Sequence, residues 1–202
     1  MESSQTAKAL QDSSFIKHMD SRHLRWARLF ATLVAFCKGR DDLRPSDLLA
    51  GIHVANFERL SRFWPCPELF EDFIAEHCDW SEPRWLTWQR WEEEFRIEAR
   101  RLRIPFSGSF LVMGKKKRFH GSMFKPSPDW QRLFETGEKL TPYTVSWQGR
   151  TLPLLTPEVM LLAFIRTEGI PLGKLLQDAG LLVDELELAA KRHIENPEKL
   201  MF

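Results

Sequence analysis

The chain has 202 residues, 43% of them hydrophobic and 28% charged, with a formal net charge of +1. This suits one large or two small soluble domains with a substantial core. It excludes the strong global basic field of a dedicated nucleic-acid binder, and no run approaches the roughly 20 apolar residues of a membrane helix.

Residues 1–14, MESSQTAKALQDSS, form a polar tail without the apolar core of a secretory signal. Residues 20–37 predict a long helix, capped by Asp20 or Ser21, with Leu24, Ala27, Leu29, Ala31, Val34 and Ala35 on its apolar face and Gly39 as its stop. Three short helices follow at 45–52, 56–63 and 67–77, the last opened by Pro67. In 82–103, Trp85, Trp88, Trp91, Phe95, Ala99 and Leu102 recur three or four apart, one face of an inserted helix whose other face is charged. A small hairpin is expected next, FLVM against KRFH across GKKK. Helical texture returns at 128–140, a second hairpin turns at Gln148-Gly149, and two proline-opened helices fill 154–181. A last helix spans 184–196 and ends at Pro197.

The two ends of the chain echo each other. Arg28-Leu29-Phe30 matches Arg132-Leu133-Phe134, and Leu48-Leu49-Ala50 matches Leu161-Leu162-Ala163. Arg59-Leu60 then matches Lys174-Leu175, and ELFEDFIAEH matches DELELAAKRH. Four matches in one order predict two four-helix units that pack face to face, because neither buries its apolar stripe alone.

The run from Thr156 to Ile165, TPEVMLLAFI, resembles the leucine-rich helix of the Clp N-terminal domain family. Glu168-Gly169-Ile170-Pro171, the helix ending at Gly180, and Val183-Asp184-Glu185-Leu186 follow in that family's order; RPSDLLAGI resembles its first repeat. The resemblance covers roughly residues 20–79 and 124–196, and the segment between them is longer than the family's linker. It implies an all-α fold of two pseudo-symmetric repeats, with an inserted linker helix and short β-hairpins: a tail at 1–14, repeats at 15–79 and 124–202, and the insertion at 80–123. It also implies a non-catalytic module that binds a protein client, an adaptor or a subunit of an AAA+ unfoldase system. In some members a glutamate at the start of this helix helps recognise phosphorylated arginine, and Glu158 fits that position in the second repeat. The same residues also read as helix-start chemistry, with Thr156 as cap, Pro157 as first residue and Glu158 complementing the dipole.

Glu158, Met160 and Phe164 are the expected groove residues, with Trp85 and Trp88 as a further partner-gripping surface if their stripe is not core. Lys115, Lys116, Lys117 and Arg118 beside Phe119 offer an anion or nucleic-acid site, the alternative function, drawing on 100–118. The same run reads as a solvated turn. Cys37, Cys66 and Cys78 are odd in number and form no C-x-x-C pair, so they are expected as reduced thiols in a cytoplasmic setting. A zinc site from Cys66, His77 and Cys78 lacks finger spacing. The sequence has no G-x-x-x-x-G-K-[ST], G-x-S-x-G or H-E-x-x-H motif. No metal, cofactor or enzymatic activity is expected.

Overall fold

The computed structural model describes residues 17–38, 40–78, 109–111, 118–120, 124–192 and 194–201. Strand β1 (Met19–Asp20) leads into helix α1 (Arg22–Cys37). Strand β2 (Asp42–Leu43) leads into α2 (Pro45–Leu60), a 3-10 turn (Ser61–Phe63) and α3 (Pro67–His77). Strands β3 (Ser109–Leu111) and β4 (Arg118–His120) pair antiparallel, as the first expected hairpin does. The second half runs β5 (Lys125–Pro126), α4 (Pro128–Leu140), β6 (Thr144–Trp147) and β7 (Arg150–Leu155). Helices α5 (Pro157–Arg166), α6 (Pro171–Asp178) and α7 (Val183–Lys191) follow, then a 3-10 turn (Pro197–Met201). The described chain is therefore mostly helical with small sheets, rather than all-α.

The helix starts follow from local chemistry. Prolines open α2, α3, α4, α5 and α6, where the missing N–H would have had no helical partner. Side-chain caps complete three starts: Ser21 Oγ accepts from Leu24 N–H (3.3 Å), Ser127 Oγ from Trp130 N–H (3.2 Å) and Thr156 Oγ1 from Val159 N–H (3.3 Å). The Gln148-Gly149 turn is as expected, with φ of 49° and 75° joining β6 to β7.

Two boundaries differ from the sequence reading. The helices expected at 45–52 and 56–63 are one helix kinked at Asn56 (φ −141°, ψ 20°). Val54 and Ala55 cannot stop a helix, so the chain bends without breaking, and Asn56 Nδ2 donates to the His23 carbonyl (3.4 Å). The last helix ends at Lys191, five residues early. Arg192 turns extended, and its carbonyl accepts the Tyr143 hydroxyl (2.5 Å).

Both parallel strand pairs cross between the halves. β1, which precedes α1, lies beside β7, which precedes α5; β5, which precedes α4, lies beside β2, which precedes α2. Ser21 N–H donates to the Leu155 carbonyl (2.8 Å) and Ser127 N–H to the Leu43 carbonyl (2.9 Å). One hydrophobic core runs from α1 to α7, and a smaller cluster of Tyr143, Val145, Leu154 and Met201 lies at the hairpin.

Helix α5 is central, with every residue from Pro157 to Phe164 buried. Close helix approach depends on glycines. A Cβ on Gly51 of α2 would lie 2.1 Å from the Ala27 carbonyl oxygen of α1 and 2.8 Å from the Ala31 nitrogen. Both are backbone atoms, so relief requires the helices to part. Gly51→Ala is expected to cost about 3 kcal/mol in chemical denaturation, near the top of the usual overpacking range. Gly149→Ala meets nothing within 4 Å and strains only its own φ of 75°, so it should cost about 1 kcal/mol.

Candidate functional site

The structure separates the expected groove residues. Met160 and Phe164 are fully buried, which corrects their assignment to an accessible groove. Met160 covers Gly137 of α4, and the Phe164 carbonyl abuts Gly173 of α6. They face inward because α5 is packed by α4, α6 and α7, and by α1 and α2 of the first half. Trp85, Trp88, Lys115, Lys116 and Lys117 lie outside the described residues, and Arg118 contributes its backbone to β4 opposite Leu111.

Glu158 is different. It is only 3% exposed, yet it sits where the two halves meet. Its Oε1 accepts from Arg59 Nε, on the last turn of α2. Burying a carboxylate without a counter-charge is prohibitively costly, so Arg59 is what permits an acid on the buried start of α5. Arg59 is a third exposed and carries the seam to the surface.

Three more side chains surround this pair. Asn56 marks the α2 kink one turn before Arg59 and ties it to His23, on the first turn of α1. The His23 ring is held below its ordinary pKa by partial burial and by Arg59 and Arg22, against the opposing pull of Glu158. The Tyr143 phenol is pushed up by burial and by Glu158, against Arg59 and Arg192. These electrostatic couplings mark His23, Arg59, Glu158 and Tyr143 as one neighbourhood.

Glu158 Oε2 is buried without a hydrogen-bond partner among the described residues, as are Asn56 Oδ1 at the α2 kink and, elsewhere in the fold, Asp20 Oδ1 and Trp64 Nε1. Such atoms are uncommon in folded proteins. The chemistry on offer is acceptance of donors beside a rim of Arg59 and His23. Sequence reasoning identified Glu158 but not Arg59, Asn56, His23 or Tyr143 as its companions. An acid in an apolar helix start signals a need for a partner, but not one 99 positions away.

A second buried acid, Asp47, is saturated within the first half. Asp47 accepts the Arg44 N–H (2.9 Å) and Arg40 Nη2 (2.5 Å), with Lys38 Nζ at 3.9 Å. Lys38 also donates to the Cys78 carbonyl (2.7 Å), joining the end of α3 to the end of α1. Burial pushes the Cys78 thiol up to about 12, far from a reactive thiolate. Cys66 and Cys78 flank opposite ends of α3, about 18 Å apart at helical rise. Among the described residues, no group of three or more His, Cys, Asp and Glu could hold a metal ion, and no helix is long and apolar enough to cross a membrane.

His53 of α2 lies edge-on to Phe57 (5.2 Å) and Phe70 (5.0 Å), and Trp64 stacks on Phe70 (4.1 Å). Burial in this aromatic nest lowers its pKa to about 4.

No protein-family model, curated protein or solved structure matches the chain.

Two measurements check these assignments. Arg59→Met leaves the Glu158 carboxylate uncompensated and is expected to cost about 3 kcal/mol in denaturant unfolding. Adding Glu158→Gln should recover more than half of that loss, giving a clear coupling in a double-mutant cycle. For His53, the folded value lies below the ordinary 6.5, so its contribution is intact above about pH 6.5 and is lost as pH falls toward 4. The loss should reach about 3 kcal/mol. His53→Phe should remove this part of the pH dependence.

Proposed function

We propose that the chain is a non-catalytic protein-binding module built from two pseudo-symmetric four-helix repeats of the Clp N-terminal type. The crossed strand pairs carry this reading. Matching Ser21 to Ser127, and Leu43 to Leu155, carries one strand pair onto the other, together with the Ser21-to-Leu155 and Ser127-to-Leu43 hydrogen bonds. The same operation carries the Ser21 cap onto the Ser127 cap and Pro45 onto Pro157. Independent folding events have no reason to reproduce this arrangement, whereas duplication of one unit gives it directly.

The caps also revise the alignment of the repeats. Leu48-Leu49-Ala50 stands against Met160-Leu161-Leu162, one residue from the match seen in the sequence. Arg28 stands against Phe134, two residues from its former partner, and its guanidinium lies over the Phe134 ring (5.2 Å). Residues related by the repeat thus touch each other, as expected near a pseudo-twofold axis.

In this reading the partner is a protein client, an adaptor or a subunit of an AAA+ unfoldase, and it docks at the seam between the repeats. The reachable groups there are His23 and Arg59, with Glu158 behind them. Glu158 has Ser46 as its counterpart in the first repeat, so the two repeats do not offer equal sites. The Glu158 carboxylate already holds the Arg59 guanidinium, and a cationic ligand group would compete with it or take the second oxygen.

Affinity capture on the full chain, read by mass spectrometry, tests the proposal. The wild type is expected to retain an unfoldase subunit, its adaptor or its clients, and His23→Glu at the rim should reduce retention at least tenfold while leaving the fold intact by circular dichroism. Retention of no protein by the wild type, or turnover of a small substrate, would overturn the binding reading. Equal retention by His23→Glu would remove the seam as the docking site.

A further inference from the structure

Helix α7 (Val183–Lys191) buries Leu186 and Ala190 against the core and turns Leu188 outward. At 75% exposure, Leu188 is far more open than Trp147 (38%) and Leu69 (37%), the other exposed large apolar side chains among the described residues. Charged residues frame it on both sides. Asp184 and Glu185 lie one turn before it, Lys191 and Arg192 one turn after, and all of them are exposed. Residues seven apart fall on one stripe of a helix. Asp184 and Lys191 therefore flank Leu188 on one side, and Glu185 and Arg192 flank it on the other. Among the described residues, only Lys191 of this set has an ion-pair partner, Glu187 at 3.0 Å, an exposed pair that holds it weakly. Acids at the start and bases at the end suit the helix dipole. A leucine exposed between them does not follow from it.

We propose that this face of α7 is a self-association surface whose occupant is a second copy of the chain, the two α7 helices lying antiparallel across a twofold axis at Leu188. The charge order points to that occupant. The antiparallel arrangement sets Leu188 against its equivalent, and each stripe then places its acid opposite the base of the same stripe in the second copy. Asp184 meets Lys191 of the second copy, Glu185 meets Arg192 of the second copy, and the twofold repeats both pairs. A parallel pairing sets acid against acid and base against base, so repulsion excludes it. The aliphatic stems of Lys191 and Arg192 extend the apolar contact around Leu188. A helix of about two and a half turns buries much less than the roughly 1,200 Å² of a stable interface. The dimer is therefore weak and salt-sensitive, with a Kd of about 100 µM.

Sedimentation velocity on the full chain in low salt, from about 10 µM to about 1 mM, should show monomer giving way to dimer. Leu188→Ser changes an exposed side chain, so the fold should stay intact by circular dichroism while association weakens about tenfold or more. Glu185→Arg and Arg192→Glu should each weaken it as well, because either one sets like charges across the twofold. Combining both changes in one chain restores opposite charges and should recover self-association. Mixing the two single variants should give a heterodimer for the same reason. Monomer throughout the range overturns the proposal, as does a dimer that tolerates Leu188→Ser. Loss in both single charge variants without recovery in the combined one overturns the antiparallel register. If a charge variant does not fold, nuclear magnetic resonance spectra of the wild type across the dilution series decide. Shift changes should centre on residues 184–192, and changes centred elsewhere overturn the proposal.

Discussion

The Ser21 and Ser127 amides each reach out of their own half of the chain for a carbonyl in the other. Two-residue strands have no stability alone, and a buried amide without an acceptor is costly. Each half therefore completes the other's backbone. Because each serine also caps a helix, the crossing fixes where α1 and α4 begin. It holds the starts of α2 and α5 beside them, and the apolar faces of all four helices then meet in one core. Neither half buries that face without its counterpart, so the two halves of the described chain form one core together.

With the helix starts tied together, the helices must also pack closely, and the halves solve this differently. In the first, α2 supplies the small residue, Gly51, against the α1 backbone. In the second, α4 supplies it, Gly137, and Met160 of α5 fills the space above. Gly173 then lets α6 lie against the Phe164 carbonyl. Met160 and Phe164 are committed to this packing, so the apolar stripe of α5 holds the protein together and has no surface left for a partner. Under the proposed binding role, the docking surface would come from the rim of the seam, where His23 and Arg59 reach solvent.

Much of this was legible from local chemistry. A proline at the first helical position is a strong signal because it costs no helical hydrogen bond, and the starts of α2 to α6 were all readable from it. Gln148-Gly149 announced its turn through Gly149, which takes a positive φ without a Cβ penalty, and Gln148 follows it into that region at 49°. The strands that cross the halves were not legible, since a two-residue strand has no periodicity to detect. The Asn56 bend was read as a break, because its cause lies partly in a distant carbonyl, that of His23. The apolar letters of Met160 and Phe164 fit a groove as well as a core, and only the surrounding helices distinguish the two. Arg59 looked like a repeat marker because nothing local to it points toward Glu158.

The comparison between Asp47 and Glu158 explains why the candidate site centres on Glu158 rather than on Asp47. Both are buried acids in the first turn of corresponding helices, and both depend on arginine. Asp47 is closed on all sides: one oxygen takes Arg40, with Lys38 nearby, and the other takes the Arg44 amide. Its partners come from the same connection between α1 and α2, so it stiffens one half and nothing more. Glu158 takes its arginine from the other half and leaves its second oxygen without a hydrogen bond among the described residues. A saturated buried charge has no remaining capacity for a ligand, whereas a half-satisfied one gains from any donor that reaches it. The asymmetry between the two acids thus distinguishes them: one is saturated within its own half, and the other joins the halves while keeping one oxygen without a hydrogen bond among the described residues.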